Sequence, residues 1–106
     1  MSENTSPQLE KGHTRIANEL LEALARYPFC GAESRIIMFV IRNTYGWNRK
    51  EALISYGMIA KGIDVNISYA KKLMKNLIKN RVILRAKQKN RNLLALNKTY
   101  TSWGCG

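Results

Sequence analysis

The chain has 106 residues, 45% hydrophobic and 24% charged, with 18 Lys and Arg against 7 Asp and Glu and a net charge of +11. That length suffices for one domain and not for a second with its own core, and the balance is that of a folded chain rather than a disordered one. The longest apolar run, Ile36–Ile41, is far too short to span a bilayer, and two cysteines, Cys30 and Cys105, can form neither a disulfide framework nor a structural zinc site.

Residues 1–13 form an expected flexible arm, polar and without the apolar core of a signal peptide, which leaves the chain in the cytoplasm. From Thr14 the apolar residues Ile16, Leu20, Leu24 and Tyr27 recur at helical spacing, with Thr14 as the expected cap and Pro28 as the stop. A second helix is predicted over about 32–44, with Ile36, Ile37, Phe39, Val40 and Ile41 packing inward. Gly46 is placed to end it in a left-handed cap. Tyr45 and Trp47 flank that glycine and read as core staples rather than as stacking platforms for single strands, and Cys30 reads as a small buried residue.

A short strand is predicted over 52–55 and a short helix over 56–61, followed by the connector Gly62-Ile63-Asp64-Val65. Asn66 then caps a longer helix running to about Asn80, with Ala70, Leu73, Met74, Leu77 and Ile78 as its apolar stripe. Ser68, Tyr69, Lys71, Lys72, Lys75, Asn76 and Lys79 fall on the opposite side. Beyond it the period changes to two, giving strands over 81–87 and 92–97 around the basic turn Gln88-Lys89-Asn90-Arg91.

The charge is one-sided. Residues 1–53 hold seven Lys and Arg against six acids, while residues 54–106 hold eleven against Asp64 alone. Such a field points first to nucleic acid, then to an anionic membrane surface or an acidic partner. Short helix, turn, longer basic helix and hairpin is the plan of a winged helix-turn-helix, so the fold class expected is mostly α with a small β-hairpin. A major groove admits one helix, whose first turn reaches base edges, and a hairpin beside it can grip the backbone. The candidate DNA contacts are therefore Ser68, Tyr69, Lys71, Lys72, Lys75 and Lys79 on the helix, and Lys87, Lys89 and Arg91 on the wing.

Each candidate has a plainer reading. The lysines can be a solvated helix face, Ser68 an ordinary residue of the first turn, and Asn90 and Asn92 simple turn formers. Against the first stands the absence of any Asp or Glu in that helix, which leaves the lysines without i,i+4 partners.

No catalytic constellation is present, so no enzymatic activity, cofactor or metal is expected. The lone His13 sits in the arm, and neither Gly-rich phosphate-loop pattern occurs.

The stretches Thr14–Pro28, Arg35–Lys50 and Leu96–Trp103, with Thr44-Tyr45-Gly46-Trp47-Asn48 the most specific, resemble the N-terminal domain of the lambdoid phage replication protein O family over roughly residues 12–103. The resemblance implies a winged-helix domain over 14–98 with a tail over 99–106. It also implies binding to double-stranded DNA at repeated sites of a phage or prophage origin, in the cytoplasm of a bacterial host. The domain often acts as a homodimer in such initiators. Replicative helicase or helicase loader is recruited by a separate region, expected to be absent because the chain stops at Gly106. The segment 59–68 departs from the family's usual pattern, which implies a different target sequence. A winged-helix transcriptional regulator, a basic interaction module for an acidic protein surface, and a charge-driven RNA binder remain the alternative readings.

Overall fold

The apolar periodicity of the sequence reappears in a computed structural model that describes residues 12–104. Four α-helices, α1 (Asn18–Arg26), α2 (Gly31–Asn43), α3 (Tyr56–Gly62) and α4 (Ile67–Lys79), accompany strands β1 (Glu51–Leu53), β2 (Ile83–Gln88) and β3 (Arg91–Leu96). The arm expected over 1–13 lies, up to residue 11, outside the described residues.

The hairpin does not stand alone. β1 pairs antiparallel with β3, Ala52 opposite Leu94, so the sheet has three strands in the order β1-β3-β2. The fold is thus mixed α/β, because a three-residue strand too short to be stable by itself gains its partner some 40 residues later in the chain.

The core forms where α2, α3 and α4 meet the sheet. Ile36, Val40, Ile54, Ile59, Met74 and Leu94 are essentially solvent-free, each such side chain contributing about 1.5–3 kcal/mol relative to exposure. From α4, Ala70, Leu73, Met74 and Leu77 are buried as their spacing predicts, and Ile78 is partly so.

After β3 the chain folds back, and Asn97 secures it there. Its amide nitrogen donates to the Arg81 carbonyl (2.7 Å) and the Ser102 hydroxyl (3.0 Å), its side-chain oxygen accepts from the Thr99 N–H, and its carbonyl accepts from the Trp103 indole (2.9 Å). Trp103 is buried, edge-on to Tyr27 and beside Phe29.

Several local expectations are corrected. Thr14 does not cap the first helix, which begins four residues later. Extended backbone at Ala17 carries Ile16 against the core first, and no side chain caps α1. Gly46 does not adopt the left-handed cap. Asn48 does (φ 57°), and Gly46 lies in a 3-10 turn over Tyr45–Trp47 where a Cβ would come 2.8 Å from the Arg42 guanidinium. That turn directs Trp47 outward, 60% exposed, with the Arg42 guanidinium 5.3 Å from its ring centroid, so Trp47 is not a core staple. Tyr45 packs against the core and is half-buried. Cys30 is exposed and not buried. Its sulfur accepts from the Glu33 N–H at the start of α2, while the Glu33 carboxylate accepts from the Cys30 N–H (3.0 Å), a reciprocal capping box.

The turn between α3 and α4 is closed by Asp64 in the left-handed region (φ 59°) and by the Val65 N–H on the Ala60 carbonyl. Gly62 in that turn allows close approach instead: the Phe39 ring of α2 lies where a Cβ would sit, 2.2 Å from its Cε1. Gly62→Ala is therefore expected to destabilise the domain by about 1–3 kcal/mol, read by urea unfolding. Phe39→Leu should relieve part of that loss in the double variant, and strict additivity would show that the contact does not set the spacing.

Candidate nucleic-acid interface

The Asn66 side chain accepts the Tyr69 N–H (2.8 Å), which fixes the start of α4 and places Ser68 and Tyr69 exposed in its first turn. With the apolar stripe turned to the core, Lys71, Lys72, Lys75 and Lys79 all face solvent. They do not form one undivided surface.

Tyr69, Lys72, Lys75 and Lys79 border a groove of about 510 Å³ whose far wall is Cys30 and Glu33, the N-terminus of α2. Glu33 is buried there although it is an acid beside lysines. One oxygen takes the Cys30 N–H, and the other takes the Asn76 amide of α4 at 2.8 Å. Glu33 is itself the anion at the capped N-terminus of α2 and keeps its charge, so the groove is net positive only because three lysines outnumber it.

Lys71 turns to the other side. It lines a cleft of about 570 Å³ between the starts of α3 and α4 and the hairpin, together with Lys87, Asn90 and Arg91. Two of the three expected wing residues therefore share a cleft with the helix. Lys89 stands in the turn itself, outside that lining. Lys89 and Asn90 form a two-residue loop with both φ values positive (50° and 65°), as a type I′ hairpin turn requires. Lys87 consequently belongs to β2, opposite Asn92, and Arg91 opens β3, opposite Gln88. From Leu84 to Arg91 every residue is exposed, so the basic end of the hairpin projects beyond the core.

The sequence reading missed Arg85 and Tyr56. Arg85 Nη1 donates to the Tyr56 hydroxyl (2.9 Å), and the Lys71 ammonium lies 6.0 Å from the Tyr56 ring centroid, so β2, α3 and α4 each bring a group to the same point. The signal for Arg85 was present, since period two puts it on the face of Lys87. Nothing local marks Tyr56, whose partner lies 29 residues away. Exposed Met58 and Ile67 give the cleft an apolar floor.

Among the described residues, no group of three His, Cys, Asp or Glu side chains is placed to hold a metal, and no helix is long and apolar enough to cross a membrane.

Compared with known proteins, residues 5–103 match the family described as bacteriophage replication protein O. Replication protein 15 of Enterobacteria phage phi80 is 27% identical over 95 residues, covering 90% of this chain and 32% of that protein. Replication protein O of Escherichia phage lambda is 23% identical over 101 residues, covering 95% of this chain and 29% of that protein. The chain thus spans about a third of the length of these relatives. No solved structure matches it.

Because the Glu33 carboxylate links the start of α2 to Asn76 of α4, Glu33→Ala is expected to cost about 0.5–1.5 kcal/mol in urea unfolding, leaving two part-buried donors without their acceptor. Glu33→Gln keeps an acceptor oxygen and should lose less. An equal loss in the two variants would show that the carboxylate's charge, and not its acceptor geometry, is what matters.

Proposed function

Because the chain belongs to the bacteriophage replication protein O family, whose members serve phage DNA replication, we propose that it is the part of an initiator that recognises repeated duplex sites at a phage or prophage origin. The observation that carries this reading is the α3–turn–α4 unit, with an acid-free outer face on α4, flanked by a projecting basic hairpin. That arrangement is what a winged helix-turn-helix uses to engage B-DNA.

In this reading α4 enters the major groove by its first turn. Ser68 and Tyr69 meet base edges, while Lys72, Lys75 and Lys79 follow the phosphates on the side of α2. The hairpin grips the backbone on the other side through Lys87, Lys89 and Arg91, and the Tyr56–Arg85 pair with Lys71 supplies a further phosphate clamp between them. The exposed lysines lack helical acid partners, so an arriving phosphate supplies the counter-charge and releases counterions. No cofactor is invoked. Two copies on adjacent repeats would form the homodimer, and helicase or loader recruitment is assigned to the remaining length that the relatives possess.

The test is titration of the chain against a duplex bearing direct repeats from its own replication region and against a scrambled duplex, across a salt series. A preference of about a thousandfold or more is expected for the repeats. Equal, steeply salt-dependent binding to both would reduce the domain to a charge-driven binder. Lys72→Ala and Lys75→Ala should each weaken duplex binding and lower the salt slope by about one, with melting unchanged. Unchanged affinity in both would remove α4 from the interface. Lys89→Ala with Arg91→Ala should weaken all sequences alike and flatten the slope by up to about two. Altered sequence preference with the slope intact would make the hairpin a base reader.

A further inference from the structure

A second basic site lies away from α4. Where the approach to α1, the segment after the 3-10 turn and the exit of β3 come together, Arg15, Arg49, Lys50 and Lys98 border a cleft of about 490 Å³, with Tyr45 and Tyr100 among its walls. All four cations are exposed. The one carboxylate in the lining, Glu19, accepts a hydrogen bond from the Tyr100 hydroxyl and keeps its negative charge, which the four cations outnumber. The Lys98 ammonium lies 5.9 Å from the Tyr45 ring centroid. The Tyr45 hydroxyl is buried with no partner among the described residues, and burial raises its pKa, so it stays protonated. No residue of this cleft lines either groove of α4.

Its location follows from the sheet. β3 begins at the hairpin turn with Arg91 and ends at Leu96, about 17 Å away at roughly 3.3 Å per residue. Lys98 lies beyond that far end. Lys50 precedes Glu51, which pairs with Ala95 at the same end. The cleft and the hairpin tip therefore occupy opposite ends of one strand.

We propose that this cleft is a second nucleic-acid site, which takes the sugar-phosphate backbone of a single DNA strand. Cations reach it from three separate segments and converge on a concave space within the range of small-ligand pockets. A single strand can lay one nucleotide into such a space with its phosphates between the walls, whereas a duplex presents a convex surface. A positively charged groove edged by aromatic rings is also how sequence-tolerant single-strand binders are built. The inference goes beyond the duplex reading and does not depend on it, since it uses neither α4 nor the hairpin.

The experiment is fluorescence anisotropy on the full chain with a labelled oligothymidylate of about 12 nucleotides and, separately, with a short duplex. Three paired variants are compared: Arg15→Gln with Lys98→Gln in the cleft, Lys72→Gln with Lys75→Gln on α4, and Lys61→Gln with Arg81→Gln outside both. All remove the same charge from exposed positions, and thermal melting confirms that each is folded. The cleft pair is expected to weaken oligothymidylate binding by about tenfold and to lower its salt slope by about 1.4, at 0.7 per phosphate neutralised. Its duplex affinity should stay within about twofold, and the other two pairs should leave the oligothymidylate within about threefold. Failure of the unaltered chain to bind oligothymidylate, or the same loss in the outside pair as in the cleft pair, overturns the proposal. So does an equal loss on strand and duplex in the cleft pair, which would make the cleft part of one duplex surface. Loss of duplex binding in the α4 pair alone supports the separation of the two sites.

Discussion

The Glu33 carboxylate sits where α2 begins and where α4 passes, and its two oxygens are divided between the Cys30 N–H and the Asn76 amide. A buried acid in so basic a protein is stable only if N–H donors satisfy it. The Asn76 bond then adds a fixed point between α4 and the start of α2. Phe39 packed into the space left by Gly62 sets the same relationship for α3. The lysines of α4 point outward in a fixed direction because the opposite side of the helix is held at these points as well as by Leu73, Met74 and Leu77.

The helix ends repeat a single device. At the end of α3, Asp64 takes the left-handed position, and at the end of α4, Arg81 does (φ 61°), with the Arg81 N–H on the Ile78 carbonyl and the Val82 N–H on the Leu77 carbonyl. This Schellman arrangement turns the chain sharply into β2. The hairpin thereby starts directly beneath α4, and its exposed outer half emerges beside the start of that helix. The Arg85–Tyr56 hydrogen bond spans the gap and ties the hairpin to α3. One cleft is therefore walled by three elements whose mutual positions are all set by backbone turns and buried contacts.

β3 then connects two ends of different character. Near the turn it carries Arg91 and Asn92 into the cleft with Lys71. At the other end, Asn97 satisfies four hydrogen-bonding partners and returns the chain under Trp103, which leaves Lys98 exposed beside Arg49 and Lys50. The positive charge of the chain is consequently spread over three separate concave surfaces, two along α4 and one beyond the far end of β3.

The amino-acid sequence by itself determined the helical stripes, the Asn66 cap, the change of period that marks the hairpin, and the acid-free face of α4. All of these are set by neighbours within a few residues, where side-chain spacing and local hydrogen bonding decide the outcome. Tertiary structure alone decided that β1 completes a three-stranded sheet, that Trp47 faces solvent under Arg42, and that Cys30 caps α2 instead of entering the core. It also divided the lysines of α4 between two grooves and brought Tyr56 to Arg85 and Lys98 to Arg15. Those features join residues far apart in the chain, and their partners are chosen by how the elements pack, which no local periodicity encodes.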